Sequence, residues 1–308
     1  MDDSGAGPPA MIAFACSVSE VEPFTRYAGP GLRAAAEPDS PMLVFAAMDT
    51  IGRSYNLLLD AAAQLQDLEA LVLVHPHAEI VDPDCCAKLR AALSSSDVAV
   101  VGCVGASQVR SIAWWEGAVS CGPVTTAYTD FGGGRFPAFS WTGSTAAPAE
   151  VEAVDGFVMA LSPWAVENLR FDEELVLGHG YDVDLCLQAR AAGRRVVTSD
   201  LRVIEHRSLD IISDIELWVE SHIAVSCKWG AQLDPGPSEP ELPARQRARR
   251  AEADRECARA TAYFNRLGYD ARVEALERSL QTATSTPSWR LTKPLRRLNQ
   301  WRRDRAQI

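Results

Sequence analysis

Short apolar runs alternate with stretches suited to helices over the first hundred residues of this 308-residue chain. Such runs are typical of buried strands, and strands that alternate with helices form a mainly parallel sheet covered on both faces. The sequence therefore predicts a three-layer α/β/α fold with a mixed, mainly parallel sheet. The predicted strands are Met11–Cys16, Met42–Ala47, Ala70–Val74 and Val98–Val101, and the predicted helices between them are Glu22–Ala36, Arg53–Gln66 and Pro83–Leu93.

Beyond residue 105 the alternation of strands and helices breaks down. The segment 105–150 is rich in Gly, Ser, Thr and aromatic residues, with consecutive glycines at 132–134, and this composition predicts loops and short strands. Regular elements return after it. Helices are predicted at Pro163–Asn168 and Asp184–Ala192, and short strands at Val196–Thr198 and Val203–Glu205.

Four prolines within residues 234–243 indicate a linker between two regions of opposite charge. Residues 1–243 carry 14 basic and 34 acidic side chains, a balance of −20, whereas residues 244–308 carry 16 basic and 7 acidic ones, a balance of +9. The predicted organisation is a flexible lead over 1–10, a main domain over 11–233, the linker, and a basic helical C-terminal extension over 244–308. The acidic main domain disfavours nucleic acid as a partner.

The expected location of the chain is the cytoplasm. Its eight cysteines form no CxxC pair, which argues against a zinc ribbon or a thioredoxin-like site. The acidic start of the chain lacks the basic and apolar segments of a secretory signal, and no apolar run approaches the roughly 18 residues that span a bilayer. Free thiols in a reducing compartment fit this pattern.

Two histidines follow the third predicted strand, at the end where open α/β sheets bind ligands. His75 and His77 are separated by one proline, so in an extended segment their side chains point to the same side. Two imidazoles in this arrangement would help to hold a divalent metal ion. The alternative is a polar strand end with exposed histidines.

Acidic residues next to glycines mark two further segments. Asp155-Gly156 precedes an apolar run, and its simplest interpretation is a turn into a buried strand. In Gly178–Leu185, Asp182 and Asp184 lie at the start of a predicted helix, after glycines that let a loop approach a ligand. One carboxylate would act as a general base, and the other as a helix cap or an orienting group.

A late histidine, His206, follows the apolar pair Val203-Ile204. A lone histidine is usually structural, and this one gains a function only if the fold returns it to His77. The chain has no GxGxxG, P-loop or GxSxG motif, so dinucleotide binding, P-loop phosphate binding and α/β-hydrolase chemistry have no support.

Together these segments resemble the family 2-like glycosyltransferases of the GT-A fold, and in particular their bacterial glycosyltransferase-like subgroup. The resemblance covers about residues 11–230 and is most specific from Val154 to His206. It implies a Rossmann-like three-layer sheet, in agreement with the fold class predicted above. The motifs that carry it are His75-Pro76-His77, Val154-Asp155-Gly156-Phe157, Arg170-Phe171-Asp172-Glu173, Tyr181-Asp182-Val183-Asp184-Leu185-Cys186 and Glu205-His206, with Tyr55-Asn56 in the second helix.

The resemblance implies a role for each of these residues. Asp182 is the general base that removes a proton from the acceptor hydroxyl. His77 and His206 are ligands of a divalent metal ion, and His77 stands where the family usually has Asp, which favours Mn²⁺ over Mg²⁺. Asp184 also supports the loop that carries the base. The residues assigned to donor or acceptor binding are His75, Asp155, Gly156, Tyr181, Asp184 and Trp115.

The implied activity is that of an inverting hexosyl- or deoxyhexosyltransferase. It moves a sugar from a nucleoside-diphosphate-sugar to a hydroxyl group of a bacterial glycan, a glycolipid or a small secondary metabolite. A rival interpretation, kept open by His77 in place of Asp, is a catalytically silent sugar-nucleotide binder or scaffold. A nucleotidyltransferase on a similar sheet has less support, because no glycine-rich basic loop follows the first strand.

The basic extension carries two predictions of its own. Residues 287–308 hold seven Lys or Arg and two Trp, and Ser288–Thr292 resembles a segment near the ends of bacterial surface-polysaccharide transferases. This composition suits contact with an anionic membrane at its inner face, and it equally suits a helix packed on a partner or a solvated tail. The helical run 244–282 is a candidate for self-association into a homo-oligomer.

Overall fold

The structure is a computed structural model that describes residues 11–128, 136–141, 149–175, 178–207, 215–233, 272–282 and 284–286. The strands within these ranges are β1 Met11–Val18, β2 Met42–Ala46, β3 Leu68–Val74, β4 Ala78–Ile80, β5 Val98–Gly102, β6 Val104–Ser107, β7 Ala118–Cys121, β8 Val124–Tyr128, β9 Phe136–Trp141, β10 Ala149–Val151, β11 Ala153–Val154, β12 Val158–Leu161, β13 Arg195–Thr198 and β14 Val203–Arg207. The helices are α1 Val21–Pro23, a π-helical segment Phe24–Ala28, α2 Gly29–Ala35, α3 Ile51–Ala62, α4 Cys85–Ala92, a 3₁₀ turn Trp114–Glu116, α5 Pro163–Asn168, α6 Tyr181–Ala191, α7 Ile215–Leu233 and residues 272–282.

A seven-stranded mixed sheet with the order β2-β1-β3-β12-β5-β13-β10 forms the centre of the fold. Five strands, β1, β2, β3, β5 and β13, run in one direction. The other two run in the opposite direction, because β12 pairs antiparallel with β3 and β5, and β10 pairs antiparallel with β13. Consecutive residues of β1, β3 and β5 are buried, which shows that both faces of the sheet are covered. The predicted three-layer, mainly parallel sheet is confirmed.

The strand predicted at Met42–Ala47 is present, but it is not buried. β2 lies at the edge of the sheet, where β1 is its described neighbour, and Met42 and Val44 are each 40% exposed. An apolar run does not distinguish an edge strand from a central one, because the crossover connections decide the order of the strands.

Two smaller sheets bring late segments of the chain back to the end of β3. The first has the order β11-β6-β7 and the second the order β4-β14-β8-β9, so residues 105–150 contribute short strands as predicted. Residues 129–135, with the glycines at 132–134, and 142–148 lie outside the described residues. The antiparallel pair of β14 and β4 places residues 203–205 beside the segment that follows β3.

No element was predicted for residues 208–233, where the structure has α7. Its residues Trp218, Val225 and Trp229 are buried and are spaced as on one face of a helix. This spacing is a sequence signal that identifies the helix.

The lead over 1–10, the linker over 234–243 and most of the extension over 244–308 lie outside the described residues, so these boundaries stay predictions. Residues 272–282 of the predicted helical run are helical, with Val273, Leu276 and Leu280 each more than half exposed. The predicted self-association is untested. None of the helices in the described ranges combines the length and the apolar character needed to cross a membrane.

Candidate active site

The predicted site segments meet at the carboxyl end of β3. The N–H of His75 donates to the carbonyl oxygen of Phe157 at 2.9 Å, so the end of β3 lies beside the Asp-Gly turn. The N–H of His206 donates to the carbonyl oxygen of His77 at 2.8 Å. The fold therefore returns the late histidine to the histidine pair, as the functional interpretation requires.

The rings of His75 and His77 lie together, with centroids 5.4 Å apart and planes 28° from parallel. The segment is not the extended stretch assumed in the prediction but a turn, closed by the N–H of Ala78 that donates to the carbonyl oxygen of His75 at 2.9 Å. The Nδ1 of His77 lies 3.0 Å from the carbonyl oxygen of His206, and its Nε2 lies 3.5 Å from Oε1 of Glu20. Because a carbonyl oxygen only accepts, Nδ1 carries the hydrogen in this contact. In the neutral form of His77 the lone pair is then on Nε2, the nitrogen that lies beside the Glu20 carboxylate.

His206 is enclosed by its neighbours. Its ring stacks on Tyr27 at 3.6 Å, its Nε2 lies 2.7 Å from Oε2 of Glu79, and its side chain is fully buried. Across the described ranges, no three His, Cys, Asp or Glu side chains come together in a way that would hold a metal ion. The described side chains thus do not complete a metal site, and the assignment of His77 and His206 as metal ligands stays a prediction.

Asp182 occupies the first turn of α6 and is only 9% exposed. Its Oδ2 accepts from the N–H of Gly156 at 2.9 Å, and its Oδ1 accepts from the N–H of Val183 at 2.9 Å. Burial, and then the negative charge of Asp155, raise the pKa of Asp182 to about 7. A carboxyl group that titrates near neutral pH suits general acid–base chemistry.

Gly156 is required by the packing of Tyr181. A Cβ atom at Gly156 would overlap the ring and the hydroxyl oxygen of Tyr181, whose ring also contacts Tyr55 at 5.7 Å. Asp155 forms the expected turn, because its Oδ1 accepts from the N–H of Phe157 at 3.1 Å. The simple interpretation of Asp-Gly as a turn is therefore correct, and the same turn supplies an N–H to Asp182.

The helix predicted from Asp184 begins earlier, at Tyr181, and neither acidic residue caps it. The N-cap is Gly180, whose φ of 77° lies in the left-handed region that favours glycine. Asp182 and Asp184 both lie within the first turn. Of the two alternatives predicted for the second carboxylate, a helix cap or an orienting group, the cap is not realised, because the glycine itself makes the turn into the helix.

Asp184 has the contacts of an orienting residue. Its side chain is fully buried, its Oδ2 accepts from Nε2 of Gln188 at 2.7 Å, and its Oδ1 accepts from Nε1 of Trp229 at 2.5 Å and lies 2.8 Å from Nζ of Lys228. Lys228 and Trp229 belong to α7 and were missed in the sequence, together with Glu20, Tyr27 and Glu79. Of these five residues, only the two on α7 could have been found from the sequence, because the buried residues of that helix recur with a helical period.

Trp115 lies beside Trp218 of α7, which contacts the loop that precedes α6. Its ring is 5.5 Å from that of Trp218, which in turn lies 5.0 Å from His179. Trp115, His75 and Asp155 are partly exposed, whereas Gly156, Tyr181 and Asp184 are buried. Donor or acceptor binding by these six residues stays a prediction.

Comparison with known proteins gives one family and several remote relatives. The sequence matches the Glycosyltransferase like family over residues 43–210. It is 29% identical over 202 residues to the streptomycin biosynthesis protein StrF of Streptomyces griseus, covering 64% of this chain and 67% of the relative.

Two solved structures are similar only remotely. One is the mannosyltransferase PcManGT from Pyrobaculum calidifontis in complex with GDP-Man and Mn²⁺, with 12% identity, coverage of 92% of this chain and 82% of that chain, and a TM-score of 0.44. The other is GalNAc-T7 with UDP, GalNAc and Mn²⁺, with 10% identity, coverage of 82% and 56%, and a TM-score of 0.44. Because the family match spans more than half of the 308 residues, the chain belongs to the Glycosyltransferase like family and is a glycosyltransferase.

Proposed function

We propose that this glycosyltransferase inverts the anomeric carbon of a nucleoside-diphosphate-sugar, with Asp182 as the general base. The observation that carries the proposal is the environment of this carboxyl group, which is buried beside Asp155 with its pKa raised to about 7. The N–H groups of Gly156 and Val183 each occupy one lone pair of the carboxylate. A carboxylate has about four lone-pair sites, so Asp182 retains capacity to accept from the hydroxyl of an acceptor.

The reaction requires one bond to form as another breaks. The acceptor oxygen attacks the anomeric carbon while the bond from that carbon to the diphosphate oxygen breaks, and Asp182 takes the proton of the hydroxyl. The electron pair of the broken bond leaves with the nucleoside diphosphate. Attack on the face opposite the leaving group inverts the configuration.

Acidic side chains lie beside His77 and His206, the two residues predicted to bind the metal ion. These side chains are those of Glu20 and Glu79. A departing diphosphate needs positive charge to stabilise it, which supports the predicted dependence on Mn²⁺ or Mg²⁺.

The metal prediction is tested by turnover with and without chelation. We expect EDTA to abolish release of nucleoside diphosphate from a panel of nucleoside-diphosphate-sugars, and added Mn²⁺ to restore it. Unchanged turnover in EDTA would contradict a required metal ion. Tight donor binding without turnover in either condition would favour the rival role, a catalytically silent sugar-nucleotide binder.

The proposed acceptor is a small secondary metabolite rather than a glycan or glycolipid. The likeness to a protein named for streptomycin biosynthesis supports this choice, since streptomycin is a small molecule. We also propose that the partly exposed His75, Asp155 and Trp115 contact donor or acceptor, and that the buried Gly156, Tyr181 and Asp184 shape the site around them.

The role of Asp182 is tested with Asp182→Asn. Asparagine keeps an oxygen that accepts from Gly156, but it cannot take the acceptor proton. We expect turnover to fall by about 100-fold or more, while thermal-shift titration shows unchanged donor binding. The control is Asp49→Asn, because the Asp49 side chain is 88% exposed. Near-normal turnover in Asp182→Asn would show that another group is the base.

A further inference from the structure

Helix α7 contacts the segment that carries Asp182 at three places. Trp218 packs against His179 at 5.0 Å. Val225 packs closely against Gly180, because a Cβ atom added at Gly180 would lie 3.0 Å from Cγ2 of Val225. Lys228 and Trp229 bind the Asp184 carboxylate, two residues after Asp182. One helix therefore contacts the loop, the N-cap and the first turn of α6.

Lys228 joins two acidic residues that lie on different elements. Its Nζ lies 2.8 Å from Oδ1 of Asp184 on α6 and 2.6 Å from Oδ2 of Asp172 in the segment after α5. The Asp184 side chain is fully buried, whereas that of Asp172 is 23% exposed. A buried carboxylate is stable only when it is paired and hydrogen-bonded, and Lys228 supplies the positive charge.

Lys228 and Asp172 stay charged at neutral pH. Partial burial acts to lower the pKa of Lys228, but the hydrogen bonds to Asp172 and Asp184 outweigh it and raise that pKa. The hydrogen bond from Lys228 in turn lowers the pKa of Asp172. The ammonium group and the Asp172 carboxylate therefore remain ionised under the conditions of sugar transfer.

We propose that Lys228 is a positioning residue for sugar transfer, which holds Asp182 in place by fastening the first turn of α6 to α7 and to Asp172. The inference rests on the proposed role of Asp182 as the base. The family match ends at residue 210, so α7 lies beyond it.

The rate should be sensitive to this positioning. A general base must lie within hydrogen-bond reach of the proton that it takes, and a displacement of about 1 Å can cost on the order of 100-fold in rate. Lys228 Nζ lies within 2.8 Å of both the Asp172 and the Asp184 carboxylate, so its removal takes away the positive charge that they share, and we expect the first turn of α6 to shift.

The chain offers a matched control for the substitution Lys228→Met. Lys88 also joins a fully buried aspartate to a more exposed one, with its Nζ 2.8 Å from Oδ2 of Asp82 and 3.3 Å from Oδ2 of Asp200. The side chains of Lys88 and Lys228 are 25% and 35% exposed. Lys88→Met therefore makes the same chemical change at a cluster that does not touch α6.

The first measurement is hydrogen exchange on the full chain, and it needs no substrate. We expect amides of residues 180–188, including the Asp184 N–H that donates to Gly180, to exchange at least about tenfold faster in Lys228→Met than in the wild-type chain. Lys88→Met should leave these amides unchanged. Equal exchange in the two variants, or no change in Lys228→Met, would overturn the inference.

The second measurement is turnover, read as nucleoside diphosphate released from the best donor of the panel. Lys228→Met should lower kcat by about 10- to 100-fold with little change in the KM of the donor. Lys228→Arg keeps the positive charge and serves as a folded reference, so it should retain most of the wild-type kcat. Lys88→Met should retain the wild-type kcat. An equal decrease of kcat in Lys228→Met and Lys88→Met, or an increase of KM without a change in kcat, would contradict a positioning role.

The two proposals fail in different ways. If Asp182→Asn keeps its turnover, the assignment of the base is wrong, while the exchange measurement still reports whether Lys228 fastens α6. If Asp182→Asn loses turnover but Lys228→Met behaves like Lys88→Met, the base stands and the positioning role is wrong.

Discussion

Asp182 obtains its chemistry from its surroundings rather than from its own side chain. An isolated aspartate is ionised at neutral pH, whereas burial and the neighbouring Asp155 raise the pKa of this one to about 7. The raised pKa means that the folded protein holds this proton more tightly than the unfolded chain does. Residue type and spacing identified Asp182 as a candidate, but its burial depends on how α6 packs.

The pH dependence of stability follows from this difference. Because the folded-state pKa is raised, the stabilising contribution is complete below the unfolded pKa near 4 and is lost as pH rises through about 7. Asp182→Asn cannot ionise, so we expect its Tm relative to that of the wild-type chain to increase as pH is raised from 4 to 8, whatever the substitution costs in hydrogen bonds to Gly156 and Val183. Thermal unfolding from pH 4 to 8 tests this. A Tm difference that does not grow with pH, or one matched by Asp49→Asn, would contradict the raised pKa.

Gly156 provides a second prediction at a single residue. Because a Cβ atom would overlap Tyr181, Gly156→Ala should lower the free energy of unfolding by about 1–3 kcal/mol. The matched control is Gly230→Ala in α7, where the added methyl group would meet no described atom within 4 Å apart from its chain neighbours and the backbone of its own helix. That change should stabilise by about 0.5–1 kcal/mol, since alanine favours a helix. Urea denaturation of both variants checks the opposite signs, and equal effects would contradict the close packing.

Helix α3 is joined by side-chain hydrogen bonds to a segment that is distant in sequence. Asn56 on α3 makes three hydrogen bonds to the segment after α5, with Oδ1 accepting from Phe171 N–H at 2.9 Å and Nδ2 donating to Phe171 O at 2.9 Å and to Glu173 Oε1 at 3.0 Å. The Tyr-Asn and Phe-Asp-Glu segments of the sequence are thus brought into contact. Their proximity was not predicted, because no local pattern encodes a pairing across more than a hundred residues.

We expect Asn56→Ala to lower the free energy of unfolding by about 1–3 kcal/mol, because it leaves backbone groups of Phe171 without their partner. Asn168→Ala serves as the control, since its exposed Nδ2 makes one described contact, to the Trp164 carbonyl oxygen at 2.8 Å. That variant should change the free energy by less than about 0.5 kcal/mol. Equal effects in urea denaturation would mean that the link between the two segments contributes little.

At the scale of the whole chain, charge is separated along the sequence. Residues 1–243 carry a balance of −20 and residues 244–308 a balance of +9, so an anionic surface should repel the first part and attract the second. Each basic residue near such a surface contributes about 1 kcal/mol. The membrane contact predicted for 287–308 depends on this balance.

We expect the full chain to sediment with vesicles rich in phosphatidylserine, and a truncation to residues 1–286 to remain in the supernatant. Vesicles of neutral phosphatidylcholine are the control, and sedimentation should decline as salt is raised, because the attraction is electrostatic. Equal sedimentation of the two chains with anionic vesicles would contradict membrane contact through the tail.

The sequence by itself determined the features that depend on local periodicity and residue type. The alternating apolar runs predicted the three-layer sheet, and the histidine pair, the Asp-Gly turn and the Tyr-Asp helix start were found as candidates, because burial and turn chemistry act on neighbouring residues. Tertiary structure alone decided that β2 lies at an edge, that Tyr27 and Glu79 enclose His206, and that Lys228 binds Asp184. These outcomes depend on which distant segments pack together, and the side chains of one segment do not specify the partners they meet in another.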